Sequence, residues 1–275
     1  MGKNKEKMFT TYKITEGAIM LALSFVLSYL KIISLPYGGS VTACSMLPII
    51  ILSYRYGALF GTFCGFVSGI LQLLSDTNIL SYATSPMAAA AIVVLDYLLA
   101  FSIIGLAGIF RNKIKDQTSA ITLGTLIAVF LRYVCHVISG CTVWAGLSIP
   151  TRQAFLYSIV YNATYMLPEL IITVFGAVYL SNAVDFSGKQ YTRKITSEEK
   201  TKSYVFKVLG LGIAAAAVIT DTALIFSKLQ DAKTGVFDIT GITRINLVAF
   251  IIVTVLGIAG FVLSRFGTKK TTGRE

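Results

Sequence analysis

PMAAAAIVVLDYLLAFSIIGLAGIF, residues 86–110, carries one charged side chain, Asp96, in an otherwise unbroken apolar run, and Arg111, Lys113 and Lys115 follow at once. A run of about 18 apolar residues or more can cross the hydrocarbon of a bilayer as a helix. A basic cluster at its end marks the cytoplasmic side. The rest of the chain repeats the pattern. Its 275 residues are 55% hydrophobic and 13% charged, with a mean hydropathy of +0.74, too little polar surface for a soluble domain of this size.

Working outward, further apolar segments lie at about 14–34, 40–54, 57–75, 118–143, 153–182, 204–227 and 245–265. The 40–54 segment is short and contains Pro48, which predicts a tilted or broken helix. Charge placement tests the division. With the N-terminus inside, 18 of the 24 Lys and Arg residues fall on the cytoplasmic side. Lys31, Arg152, Lys228, Lys233 and Arg244 fall outside, and Arg132 lies within a span. The net charge of +11 therefore reads as membrane topology rather than a nucleic-acid footprint, with both termini expected in the cytoplasm. The fold class expected is all-α and polytopic: a six-helix bundle over residues 1–185, a cytoplasmic linker at 186–203 and a two-helix transmembrane hairpin at 204–275. The hairpin's outer loop, about 228–244, carries no motif with a chemical reading, and no internal repeat supports an inverted-repeat carrier.

The basic start, Met-Gly-Lys-Asn-Lys-Glu-Lys, lacks a small-residue cleavage site, so no cleavable signal peptide is expected. Glu6 stands where a myristoylation signal needs Ser or Thr. Cys44, Cys64, Cys135 and Cys141 have no metal-ligand spacing and read as small buried apolar residues, so no metal site is expected.

Ionisable groups in hydrocarbon each cost about 2.5–3.5 kcal/mol on insertion scales. Five stand inside apolar segments: Asp96, Arg132, His136, Glu169 and Asp221. At helical rise, Asp96 lies roughly 15 Å along its span from Pro86, and His136 roughly 12 Å before Trp144. Tyr157 and Asn162 lie roughly 8 and 15 Å beyond Arg152. Three helices thus bring an acid, an imidazole, a phenol and an amide to similar depth in the outer half, with Trp144 above them. That pattern points to a small-molecule pocket open to the outside. Plainer readings exist for each residue. Trp144 suits the interfacial aromatic belt. Asp96 can pair with Arg132, which shares a helix face with His136. Glu169, after Pro168, can satisfy backbone groups freed by a kink. Asp221, among Ala and Thr residues, can cap or pair within the hairpin.

Several motifs carry a family resemblance: TEGAIMLALS at 15–24, LPYGGSVT at 35–42, SMLPI at 45–49, LDYLLAF at 95–101 and GLAG at 105–108. With the spacing of His136, Trp144, Tyr157 and Asn162, they make the first 185 residues resemble the thiamine-specific S component of energy-coupling factor (ECF) vitamin transporters. The resemblance implies a six-span binding subunit of a bacterial plasma membrane that captures thiamine from outside. It implies no catalytic activity and no cofactor of its own, and partnership with a transmembrane coupling subunit and a cytoplasmic ATPase pair. Its expected substrate-binding residues are Asp96, Tyr97, His136, Trp144, Tyr157, Asn162 and Tyr37. Ala18 and Ala22 form the small-xxx-small pair expected to dock on the coupling subunit.

The ligand's chemistry suits these residues. Asp96 can accept from the aminopyrimidine and serve as counter-ion to the fixed thiazolium charge, while aromatic rings stack on the heterocycles. Two departures stand out. Asp96 occupies a position where the family is expected to carry Glu, and the chain has a single Trp, with Tyr37 available in place of another. Both leave room for a thiamine precursor or another pyrimidine. The alternative class is an ion-coupled carrier acting alone on thiamine or a related pyrimidine, with Asp96, Glu169 or Asp221 relaying protons. An enzyme is not expected, since His-Glu-x-x-His, Gly-x-Ser-x-Gly and paired protease aspartates are all missing.

Overall fold

The computed structural model describes residues 2–35, 38–146, 151–188, 190–194, 198–229 and 239–266. They form two compact units, Met1–Thr192 and Arg193–Glu275. Among the described residues, six helical segments are long and apolar enough to cross a bilayer: Ala58–Ser75, Pro86–Phe110, Gln117–Val143, Ala154–Ala183, Val205–Leu229 and Leu247–Ser264.

The first unit opens with α1 (Gly2–Tyr29), about 42 Å long at helical rise. The chain then leaves the helix for a short antiparallel hairpin, β1 (Lys31–Ser34) and β2 (Ser40–Thr42), with Ser34 opposite Ser40. The apolar segment expected to run to residue 34 therefore divides into helix and strand. The 40–54 segment divides too, into β2, a turn through Cys44 at φ 63°, and α2 (Leu47–Tyr56). Pro48 does not break α2, because it sits in the first turn, where the missing N–H has no intrahelical partner. Residues Leu47 to Arg55 are all buried. An all-round apolar helix of this kind belongs at the centre of a bundle.

Around it pack α3 (Ala58–Ser75), α4 (Pro86–Phe110), α5 (Gln117–Gly146) and α6 (Thr151–Ala183). Glycine brings α3 against α4. A methyl group at Gly65 would land on the Phe101 carbonyl, at Gly69 on the Tyr97 carbonyl, and at Gly105 on the backbone of Thr62. Small residues four apart permit such close approach of helix backbones. Ser53 closes the seam from α2, donating to the Gly105 carbonyl and accepting from the Gly108 N–H at 2.8 Å.

Successive helices alternate in direction, so the β-hairpin lies at the end where α3 finishes and α4 begins. At the opposite end Arg55 pairs with Glu16 at 2.7 Å and donates to the carbonyls of Phe186 and Gly188. Tyr56 and Tyr191 also donate to Glu16, which ties α1, α2 and the segment after α6 together.

The second unit is a helical hairpin, α7 (Glu198–Leu229) and α8 (Leu247–Phe266). Gly210 sits against the backbone of Gly260 and Ser264, and Thr254 donates to Asp221 at 2.8 Å. Of the readings open for Asp221, pairing within the hairpin is the one observed.

Candidate functional site

The first unit encloses a cavity at its β-hairpin end, with about 170 Å³ open to the centres of water molecules. That is room for on the order of ten waters, the scale of a small organic molecule rather than an ion. Its lining draws on the β-hairpin, α3, α4, α5 and α6.

Asp96 and Tyr97 lie on a π-helical stretch of α4, Ile92–Leu99, where the Ala100 N–H reaches back to the Leu95 carbonyl. The wider i→i+5 turn, a feature concentrated at functional sites, sets both side chains on the cavity. Asp96 Oδ1 lies 2.7 Å from His136 Nδ1, and Ser139 donates to Asp96 Oδ2 at 2.6 Å. Arg132 Nε donates to His136 Nε2 at 3.2 Å. An arginine N–H can only donate, so Nε2 is the acceptor nitrogen and the ring proton sits on Nδ1, donating to Asp96. The arrangement selects neutral imidazole. The Arg132 guanidinium lies 4.3 Å over the Phe101 ring, which stacks on Tyr97 at 6.3 Å. Arg132 is thus hydrogen-bonded to His136, and Asp96 is paired with His136 and Ser139.

Asn162 lines the same cavity, with its amide engaged at both ends. Nδ2 donates to the carbonyls of His136 at 3.2 Å and Ser158 at 2.8 Å, and Oδ1 accepts from Tyr165 at 2.6 Å. Asp96, Tyr97, His136 and Asn162 are therefore brought together. Tyr157 is not among the lining side chains. It is buried and stacked on Tyr161, rings 6.0 Å apart and 7° from parallel, and Tyr161 and Tyr165 form the wall instead. One helical turn separates these positions, and the turn nearer the cavity prevails. Tyr37 lies outside the described residues. Trp144 lies within α5, but its side chain is outside the described set. Ala18 and Ala22 are exposed on α1, away from the cavity.

Glu169 also lines the cavity, yet it does not serve the Pro168 kink. Its two oxygens accept from the Thr42 N–H at 2.5 Å and the Thr42 hydroxyl at 2.6 Å, fastening the β-hairpin over the site. Gly39 adds a second tie, its N–H donating to the Tyr161 hydroxyl at 3.2 Å. Sequence reasoning also passed over Gln72 and Asp76, at the end of α3, and Tyr161 and Tyr165. The tyrosines had a signal, since 157, 161 and 165 form an i, i+4, i+8 stripe. Asp76 had none, because an acid at the end of an apolar block reads as a span boundary.

A family model described as Thiamine transporter protein (Thia_YuaJ) matches residues 14–185. The chain belongs to that family. The thiamine transporter ThiT of Bacillus subtilis is 34% identical over 171 residues, covering 58% of this chain and 85% of that protein. ThiT of Lacticaseibacillus paracasei is 27% identical over 174 residues, covering 58% and 82%. The solved structure of ThiT from Listeria monocytogenes superposes with a TM-score of 0.50 at 24% identity, over 62% of this chain and 92% of that one. It shares the fold. The resemblance read from the motifs at 15–24, 35–42 and 95–101 therefore holds, and this member of the family is a helical, multi-pass membrane protein. Every described side chain lining the cavity lies inside the matched region, and the α7–α8 hairpin lies beyond it.

Proposed function

We propose that this chain captures thiamine from outside a bacterial cell as the substrate-binding subunit of an ECF importer. Uptake is then driven through a transmembrane coupling subunit by a cytoplasmic ATPase pair. The observation that carries this reading is the Asp96–His136–Arg132 chain of contacts, set in a cavity of small-molecule size in a member of a thiamine transporter family.

The geometry suits the ligand. Each carboxylate oxygen of Asp96 keeps a lone pair beyond those used by His136 and Ser139, so it can accept from the exocyclic amine of the pyrimidine. Asp96, one methylene shorter than the expected Glu, is held in place by His136 and Ser139. Tyr97, Tyr161 and Tyr165 line the cavity, and a cation over the face of an aromatic ring gains roughly 0.5–2 kcal/mol. Asn162 acts as a positioning residue, holding the His136 carbonyl and the Tyr165 hydroxyl.

The placement of basic residues supports cytoplasmic termini and an outside β-hairpin, an orientation in which the cavity opens toward the nutrient. On α1, Ala18 and Ala22 belong to an exposed stripe with Ile14, Ile19 and Val26. Opposite them Gly17 and Ser24 face the bundle, Ser24 donating to the Ser45 carbonyl at 2.7 Å. That stripe is the surface offered to the coupling subunit.

The test is mass spectrometry of small molecules released from purified protein, followed by titration with thiamine and its phosphates. Thiamine is expected to be recovered and to bind. Purified protein that neither releases nor binds it overturns the reading. In cells, uptake is expected to stop when the ATPase partners are deleted. Uptake that persists without them, and collapses with an uncoupler, would favour a carrier acting alone.

A further inference from the structure

We infer that Asp76 supplies the counter-charge to the ligand's fixed positive charge, at a cation subsite formed by the C-terminal end of α3 and the ring of Tyr97. This rests on the thiamine reading above and reassigns a role that sequence reasoning gave to Asp96. Among the described residues three carboxylates line the cavity, and their hydrogen bonds sort them. Glu169 has both oxygens on Thr42, at 2.5 and 2.6 Å. Asp96 has one oxygen on His136 and the other on Ser139, at 2.7 and 2.6 Å. Among the described residues, the Asp76 side chain meets only the Tyr97 hydroxyl, at a long 3.4 Å. Of the three, it has the most acceptor capacity left for a ligand.

Charge balance points the same way. Arg132 and Lys31 line the same cavity as Asp96 and Glu169, two cations against two carboxylates. Burying a further cation there requires a further anion. The backbone adds to the effect. Asp76 caps α3, an 18-residue helix, and its own N–H closes on the carbonyls of Gln72 and Leu73. A helix C-terminus carries a partial negative charge that favours a nearby cation within its last turn. The Gln72 side chain lines the cavity one turn earlier, and Tyr97 offers its ring beside the carboxylate. A carboxylate, a helix C-terminus and an aromatic ring lie together on the lining. All three attract a delocalised cation. The site therefore divides in two: Asp96 and His136 read the hydrogen-bonding ring, while Asp76 answers the charged one.

Calorimetric titration of the full chain tests this with two probes: thiamine, and an analogue whose thiazolium is replaced by an uncharged thiophene ring. Asp76→Asn is expected to weaken thiamine about tenfold or more and to leave the uncharged analogue within about twofold, since that analogue has no charge to answer. Asp76→Glu is expected to restore most of the thiamine affinity. Retained binding of the analogue also shows that the variant is folded. If Asp76→Asn leaves thiamine binding unchanged, or weakens both probes alike, the inference is overturned while the thiamine reading stands. Wild-type protein that binds neither probe overturns the functional reading, and this inference with it.

Discussion

At Asp96 the hydrogen bonds make a clean test possible. Asparagine can keep both internal contacts, its Oδ1 accepting from His136 Nδ1–H and its Nδ2 donating to Ser139 Oγ. What the substitution removes is charge, with little change in shape. A hydrogen bond to a charged group is worth about 1.5–3 kcal/mol, so Asp96→Asn is expected to lower thiamine affinity about tenfold or more by calorimetric titration, with Tm in detergent near that of the wild type. Unchanged affinity would remove Asp96 from the site. Glu169 asks a different question, because it touches the β-hairpin. Glu169→Ala leaves the buried Thr42 N–H without its acceptor, at a cost of about 1–3 kcal/mol, while the Thr42 hydroxyl can still donate to Ser45 at 2.7 Å. The expected outcome is a lower Tm and faster amide exchange across 39–43; exchange at the wild-type rate would show that Gly39 and Tyr161 alone hold the hairpin.

Helices and strands differ in how much of themselves they wrote into the sequence. Long apolar blocks such as 86–110 and 118–143 could only be spans, and Arg111, Lys113 and Lys115 fixed where one ended. Lys31–Ser34 and Ser40–Thr42 were hidden, because three or four residues cannot display a period of two and their pairing depends on a partner beyond a turn. The π-helical turn at Ile92–Leu99 was hidden as well, since nothing in VVLDYLL distinguishes i→i+5 from i→i+4 bonding. The shared depth of Asp96, His136 and Asn162 was legible from spacing alone, because helical rise converts residue counts into distance. Which tyrosine of 157, 161 and 165 faces the cavity was not, because helix rotation is set by packing. Glycine sets that packing between α3 and α4, and it can be tested. Gly65→Val drives a branched side chain into the Phe101 carbonyl, and overpacking of this kind costs about 1–3 kcal/mol or more. A lower Tm and weakened thiamine binding are expected together, because the displacement parts Asp76 on α3 from Tyr97 on α4. Gly188→Ala, where a methyl group meets nothing closer than 3.4 Å, is the matched control and is expected to leave both unchanged.

The molecule as a whole joins a unit that carries every described cavity-lining side chain to one that carries none. The family match stops at residue 185, close to the boundary at Thr192 between the two compact units. Within the first unit, Arg55, Glu16, Tyr56 and Tyr191 fasten the end of the bundle away from the cavity, using residues no later than 191. The second unit has its own internal contacts, Gly210 on Gly260 and Thr254 on Asp221, and α8 exposes apolar side chains such as Leu247, Ile251, Val255 and Ile258, as suits a helix facing lipid. Each unit thus holds together by contacts of its own. A chain ending at Thr192 is therefore expected to insert, to remain monodisperse in detergent and to bind thiamine within about twofold of the full-length protein, since every described cavity-lining side chain lies within it. Titration of the two proteins side by side decides the matter. A loss of tenfold or more in a well-folded truncation would mean that residues after 192 shape the site, and the hairpin would then count as part of the binding machinery rather than as an attachment to it.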